Sequence, residues 1–160
     1  MKLWEMYHIL HDPTDDTLSF NQLFQKVLND EISAAVLYQR LANEVIGYQY
    51  TEFREQMLEH AADEYRHFND LLLIASNRGI EYTVALTPDA TVPIEGVLTE
   101  KLIALTQTLE TNAIEDYRML AETTFGMKEY ELHKKFKELL TEETEHFDDV
   151  AVLTGEIRPL

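Results

Sequence analysis

Glu64 and His67 stand three residues apart in the stretch HAADEYRHF, and Glu143 and His146 repeat that spacing in TEETEHFDD. On a helix, positions i and i+3 are neighbours, so each pair can present a carboxylate oxygen and an imidazole nitrogen to one point. Such a pair can hold a divalent metal without sulfur. Taken alone, the spacing means little in a chain with 30 acidic residues and six His. Glu5 and His8 form a third instance, so the surroundings of the pairs must decide.

The surroundings repeat. Shifting the chain by 79 places EISAAVLYQRLANEVIG (Glu31 to Gly47) on ETNAIEDYRMLAETTFG (Glu110 to Gly126), with Glu, Ala, Tyr, Leu, Ala and Gly coinciding. The same shift carries Glu64 onto Glu143, His67 onto His146 and Phe68 onto Phe147. Glu5 and His8 lie outside the repeat and are set aside as a site.

Long segments of helical period must position these residues. Ser19-x-x-Gln22 is a capping-box pattern, so a first helix should start near Ser19 and stop at Gly47. A second should run from about Thr51, a third follow Pro93 and end at Gly126, and a fourth carry Leu132 to Leu153. Short turns make two antiparallel hairpins, and the stretch from Gly79 to Glu95 is the one long link. Extended, it can run the length of a helix, roughly 40 Å. The expected fold is therefore all-α, a four-helix bundle of two hairpins joined by one long crossover. It should occupy residues 19–155, with residues 1–18 as an N-terminal extension.

Each apolar stripe is interrupted by a polar residue on its buried face: Glu31, Glu64 with His67, Glu110, and Glu143 with His146. Residues equidistant from a hairpin turn lie opposite each other. Glu31 and Glu64 straddle Gly47–Tyr48, and Glu110 and Glu143 straddle Gly126–Met127, each pair 33 residues apart. All four Glu and both His should then share one layer. Unpaired carboxylates in an apolar core cost several kcal/mol each, and no Lys or Arg lies on those faces. Two divalent cations would balance four negative charges, with the imidazoles completing the coordination. Protonated carboxylates bonded to one another are the alternative. Mixed oxygen and nitrogen ligation suits iron or manganese, and zinc competes on affinity.

Composition removes other classes. With no Cys, disulfides, iron–sulfur clusters and thiolate zinc sites are excluded. The net charge of −17 argues against nucleic-acid contact and suits attraction of cations. No run of apolar residues is long enough to span a membrane. The start, MKLWEMYHILHD, is a poor signal peptide, so a cytoplasmic location is expected.

One Glu from each of two helices, with Glu-x-x-His from each of the other two, resembles the ferritin-like di-iron carboxylate proteins, most closely bacterioferritin. The likeness spans about Ser19 to Leu153. It implies Glu31 and Glu110 as terminal ligands, Glu64 and Glu143 as bridges, and His67 and His146 as one nitrogen ligand per iron. It further implies oxidation of Fe(II) by O2 or H2O2 within a homo-oligomer. Tyr38, seven residues after Glu31, becomes a candidate catalytic tyrosine, as hydrogen-bond partner or radical site, and Tyr117 a weaker one.

The departures are informative. Tyr65 occupies the position of the haem-ligating Met, so no haem is expected, and Met57 reads as core. An inner iron path would need a His at Glu59. Here His60 follows instead, and Glu59, His60 and Asp63 form only a candidate path. The fourteen residues after His146 leave little room for the short fifth helix of ferritin cages. Ferroxidase with iron storage is the leading function. A rubrerythrin-like oxidase or peroxidase is an alternative, although Ala113 stands where those enzymes carry an extra Glu. A metal-stabilised scaffold without turnover is another. Dps-type proteins place their ligands between subunits, unlike the six here.

Overall fold

A computed structural model describes residues 18–156 of the chain. It contains α1 (Phe20–Glu44), α2 (Thr51–Arg78), α3 (Thr99–Gly126) and α4 (Tyr130–Glu156). No strand occurs among the described residues. Helices α1 and α2 pair as one hairpin and α3 and α4 as the other. Among the described residues no helix is long and apolar enough to cross a membrane. The N-terminal extension, with Glu5 and His8, lies outside the described residues apart from Leu18.

The start of α1 follows the sequence signal. Gln22 N donates to Ser19 Oγ (3.1 Å) and Ser19 N to Gln22 Oε1 (2.9 Å), the reciprocal capping box. One boundary differs from expectation. Helix α1 ends at Glu44 rather than Gly47, because Arg54 Nη1 takes the carbonyls of Val45 (3.1 Å) and Gly47 (2.9 Å). Gly47 adopts φ +126 in the link to a short 3-10 turn, Tyr48–Tyr50. Helix α3 starts at Thr99, after a turn in which Gly96 takes φ +78 and Val97 N bonds Ile94 O. Helix α3 ends at Gly126 as expected, and the left-handed residue of the α3–α4 turn is Lys128, φ +59. Buried Met127 and the bond from Glu129 N to Thr124 O hold that turn.

The crossover runs along α1 and is pinned by polar side chains one helical turn apart. Gln25 both donates to Thr83 O (2.6 Å) and accepts from Thr83 N (2.7 Å). Asn29 accepts from Ala85 N and Ser33 from Thr87 N. Farther along, Arg40 donates to the carbonyls of Ala90 and Val92. Residues 81–86 are exposed, so backbone satisfaction by α1, not apolar burial, holds that stretch in place.

The core divides in two. One cluster contains Phe20, Phe24, Leu28, Leu71, Leu120 and Phe136. The other contains Leu37, Leu41, Phe53, Met57, Leu102 and Val150. In sequence, each helix carries its chemical residues between the segments it contributes to the two clusters. They form a polar layer sandwiched by apolar packing on both sides.

Candidate metal centre

Glu31 on α1, Glu64 and His67 on α2, Glu110 on α3, and Glu143 and His146 on α4 are all buried. They form two overlapping groups, in each of which one ligand atom per residue lies within 4.8 Å of the others. The first is Glu31, Glu64, His67 and Glu143; the second is Glu64, Glu110, Glu143 and His146. Glu64 and Glu143 belong to both, so they could bridge two metals, while Glu31 and Glu110 each belong to one.

Both imidazoles turn Nδ1 inward. His67 Nδ1 is 2.9 Å from Glu143 Oε1, 3.4 Å from Glu31 Oε2 and 3.5 Å from Glu64 Oε2. His146 Nδ1 is 2.8 Å from Glu64 Oε1, 3.4 Å from Glu143 Oε2 and 3.7 Å from Glu110 Oε2. Despite that 2.8 Å separation, His146 Nδ1 and Glu64 Oε1 are not aligned as a hydrogen bond; both are left without a partner, as are Glu31 Oε2 and Glu110 Oε2. Buried polar atoms without partners are rare. Donors crowded together yet misaligned with one another are what a set of metal ligands presents, so the residues fit two divalent cations.

The outward nitrogens are held across the hairpins. His67 Nε2 lies 2.8 Å from Glu142 Oε2, and His146 Nε2 lies 3.1 Å from Asp63 Oδ2. Arg66 bonds both Glu142 and Asp63 from the surface. A carboxylate on the outer nitrogen orients the ring and raises its basicity as a ligand. The tyrosines are crossed in the same way. Tyr38 Oη donates to Glu110 Oε1 (2.6 Å) and Tyr117 Oη to Glu31 Oε1 (2.7 Å). Tyr38 therefore meets Glu110 of the opposite hairpin, not the Glu31 of its own helix, and Tyr117 meets Glu31 in the same way.

Charge in the metal-free centre follows from burial and proximity. Burial and the charges of Glu143, Glu31 and Glu110 push the Glu64 carboxyl well above its usual range. Burial pushes Glu110 up as well, to about 7, against the pull of His146. Burial opposes charge on His67 and His146, but the carboxylates around each Nδ1 outweigh it and hold both as imidazolium. Burial and Glu31 push Glu143 up, and the two imidazolium rings beside it more than offset them, leaving it below the usual range. Glu142 is lifted by burial but brought down to about 2 by Arg66 and His67.

Metal binding is therefore expected to expel protons from His67, His146 and Glu64, with part of another from Glu110 near pH 7. Calorimetric titration in buffers of different ionisation enthalpy counts them. Affinity is expected to rise steeply with pH, and a pH-independent affinity would contradict this account of the metal-free charges.

A cavity of about 180 Å³ reaches Glu31, Glu64, Glu110 and Glu143 from the α1–α3 side, where Lys26 bridges Asp30 (2.8 Å) and Asp116 (2.5 Å). The candidate path of Glu59, His60 and Asp63 is not one cluster. Glu59 is exposed, Asp63 is engaged with His146, and His60 is buried with its ring on His146. Sequence reasoning missed Glu142 and the role of Asp63, although the 79-residue repeat superposes those two positions.

Fold and site together define a helical bundle built around a buried carboxylate–histidine cluster able to hold metal, and support a di-iron protein. The family model of the ferritin-like domain matches residues 21–159, and the chain belongs to that family. Among solved structures, a ferritin-like, di-iron-carboxylate protein from Bacillus anthracis str. Ames superposes with a TM-score of 0.73 at 20% identity, covering 84% of this chain and 94% of that one. An iron-soaked variant of a protein named PmFTN superposes with a TM-score of 0.71 at 18% identity, covering 85% and 86%. A second iron-soaked PmFTN variant gives 0.68 at 17% identity with the same coverage. No curated protein sequence matches.

Proposed function

We propose that the protein is a ferroxidase that takes up Fe(II) at this pair of positions, oxidises it, and stores the product within a homo-oligomeric shell. The observation that carries the reading is the overlap of two four-ligand groups sharing Glu64 and Glu143. Two adjacent Fe(II) ions supply two electrons, the number that converts O2 to peroxide or H2O2 to water. Iron is the substrate, and the protein contributes fixed geometry and charge balance. Glu31 and Glu110 serve as terminal ligands, Glu64 and Glu143 as bridges, and His67 and His146 as the nitrogen ligands, in the bacterioferritin manner.

Tyr38 is assigned a catalytic role beside Glu110. Burial, with the neighbouring carboxylates, holds its hydroxyl protonated, so it can donate to Glu110 and act as a local source of a hydrogen atom. Tyr117 stands in the same relation to Glu31. A cavity of about 180 Å³ also favours a small inorganic substrate, since sites for drug-sized organic ligands run to ~300–1,000 Å³.

The test is anaerobic addition of Fe(II) to metal-free protein, then air, following ferric absorbance. Storage is expected to continue past two irons per chain with the iron kept soluble, in an assembly larger than a dimer by sedimentation. Oxidation that stops at about two per chain would instead make the metals a fixed cofactor of an oxidase or peroxidase.

A further inference from the structure

We propose that His60 is an additional ligand for the metal on the His146 side, so that the two metal positions are unequal. The inference rests on the two-metal reading above and concerns a residue that neither Glu-x-x-His pair contains.

Two observations carry it, a buried nitrogen without a partner and a three-residue ligand group, and a third gives the place of the ring. His60 is only 1% exposed, and its Nδ1 is a buried nitrogen with no partner. Its ring packs against that of His146, centroids 4.1 Å apart and planes 29° apart, so one ring must turn for both nitrogens to reach a single ion. His60, Glu110 and His146 each offer a ligand atom within 4.8 Å of the other two. The ring is also held as the two expected ligands are. His67 presents Nε2 to Glu142, and His146 presents Nε2 to Asp63, each leaving Nδ1 for the centre. His60 Nε2 lies 3.3 Å from Asp149 Oδ2 on the opposite hairpin and 2.9 Å from Gln56 Nε2, an amide that donates to it only while the ring proton sits on Nδ1. A metal at Nδ1 would displace that proton and leave Nε2–H to donate to Asp149. A carboxylate near Nε2 and a buried Nδ1 without a partner is the arrangement that a metal-bound histidine takes.

The internal repeat supplies the contrast. The position equivalent to His60 in the second half is Leu139, fully buried in the apolar cluster. Nothing at that position can add a ligand on the His67 side. One metal would have a single imidazole and the other two. The second imidazole fills a coordination place that water or the oxidant would otherwise take, and it favours retention of the ion, most strongly for nitrogen-preferring ions such as Co(II) and Zn(II).

Anaerobic titration of metal-free protein with Co(II), followed by calorimetry and the visible Co(II) bands, tests this without reference to turnover. The wild type is expected to bind two Co(II) with distinct affinities. His60→Leu, which copies the second half, is expected to weaken the tighter site by about 10–100-fold and leave the other unchanged. His60→Ala covers the case in which Leu misfits; added imidazole is expected to restore its tight site. Unchanged affinities in His60→Leu, or an equal loss at both sites as from a packing defect, would overturn the proposal. Failure of the wild type to bind Co(II) at all would overturn the two-metal reading itself.

Discussion

Glu143→Ala is expected to abolish two-metal binding and to reduce the rate of Fe(II) oxidation by at least ~100-fold, the scale on which loss of a key electrostatic group acts. Glu143 belongs to both ligand groups, so its loss strips one oxygen ligand from each metal at once. In the metal-free protein the same carboxylate lies against both imidazolium rings, 2.9 Å from His67 and 3.4 Å from His146. Removing one partner of a buried charged network costs roughly 3–5 kcal/mol, and deprotonation of the rings relieves part of it. Metal content per folded chain, together with urea unfolding, separates the two effects. Glu31→Ala makes the sharper comparison, since Glu31 enters only one group and one bound metal should survive. Equal stoichiometry in the two variants would sink the assignment of Glu143 as a bridge.

Metal loading should raise the unfolding temperature by roughly 15–30 °C. A ligand at a thousand times its dissociation constant stabilises by about 4 kcal/mol, so two sites supply about 8. A chain of this length gains roughly 2–4 °C per kcal/mol. The metal-free state is the weak partner because its layer depends on shared protons. Glu64 and Glu110 have carboxyls raised in the folded state, so the folded chain binds more protons than the unfolded one above pH 4.5. Their penalty grows as pH rises from 4.5, reaching its full extent for Glu110 above about 7. His67 and His146 are likewise raised; their contribution is complete below about 6.5 and is lost as pH climbs through their folded values. Both trends run the same way, so chelated protein should lose stability with rising pH while loaded protein keeps it. Calorimetric scans with chelator and with Co(II), at pH 5.5 and 8, measure the gap. A gap under about 5 °C at both pH values would favour the alternative in which protonated carboxylates satisfy one another.

Much of this centre was legible because helical geometry is local. The period of 3.6 residues put Glu31, Glu64, Glu110 and Glu143 on apolar stripes, and equal distances from two turns put them in one layer. The capping box at Ser19 and the left-handed Gly79 at the end of α2 are equally local features, decided by a few neighbouring residues. The boundary set by a distant partner was not legible. Helix α1 stops three residues before Gly47, where Arg54 from the next helix takes the free carbonyls.

By itself, then, the sequence determined four amphipathic helices, their pairing into two hairpins, and the six residues their buried faces bring to one level. The tertiary structure alone decided how the hairpins are rotated against each other. That rotation sends Tyr38 to Glu110 and Tyr117 to Glu31, sets Glu142 and Asp63 behind the opposite imidazoles, and lays His60 on His146. Periodicity states which face of a helix is buried. Which residue meets which across the interface depends on how the side chains of all four helices interlock.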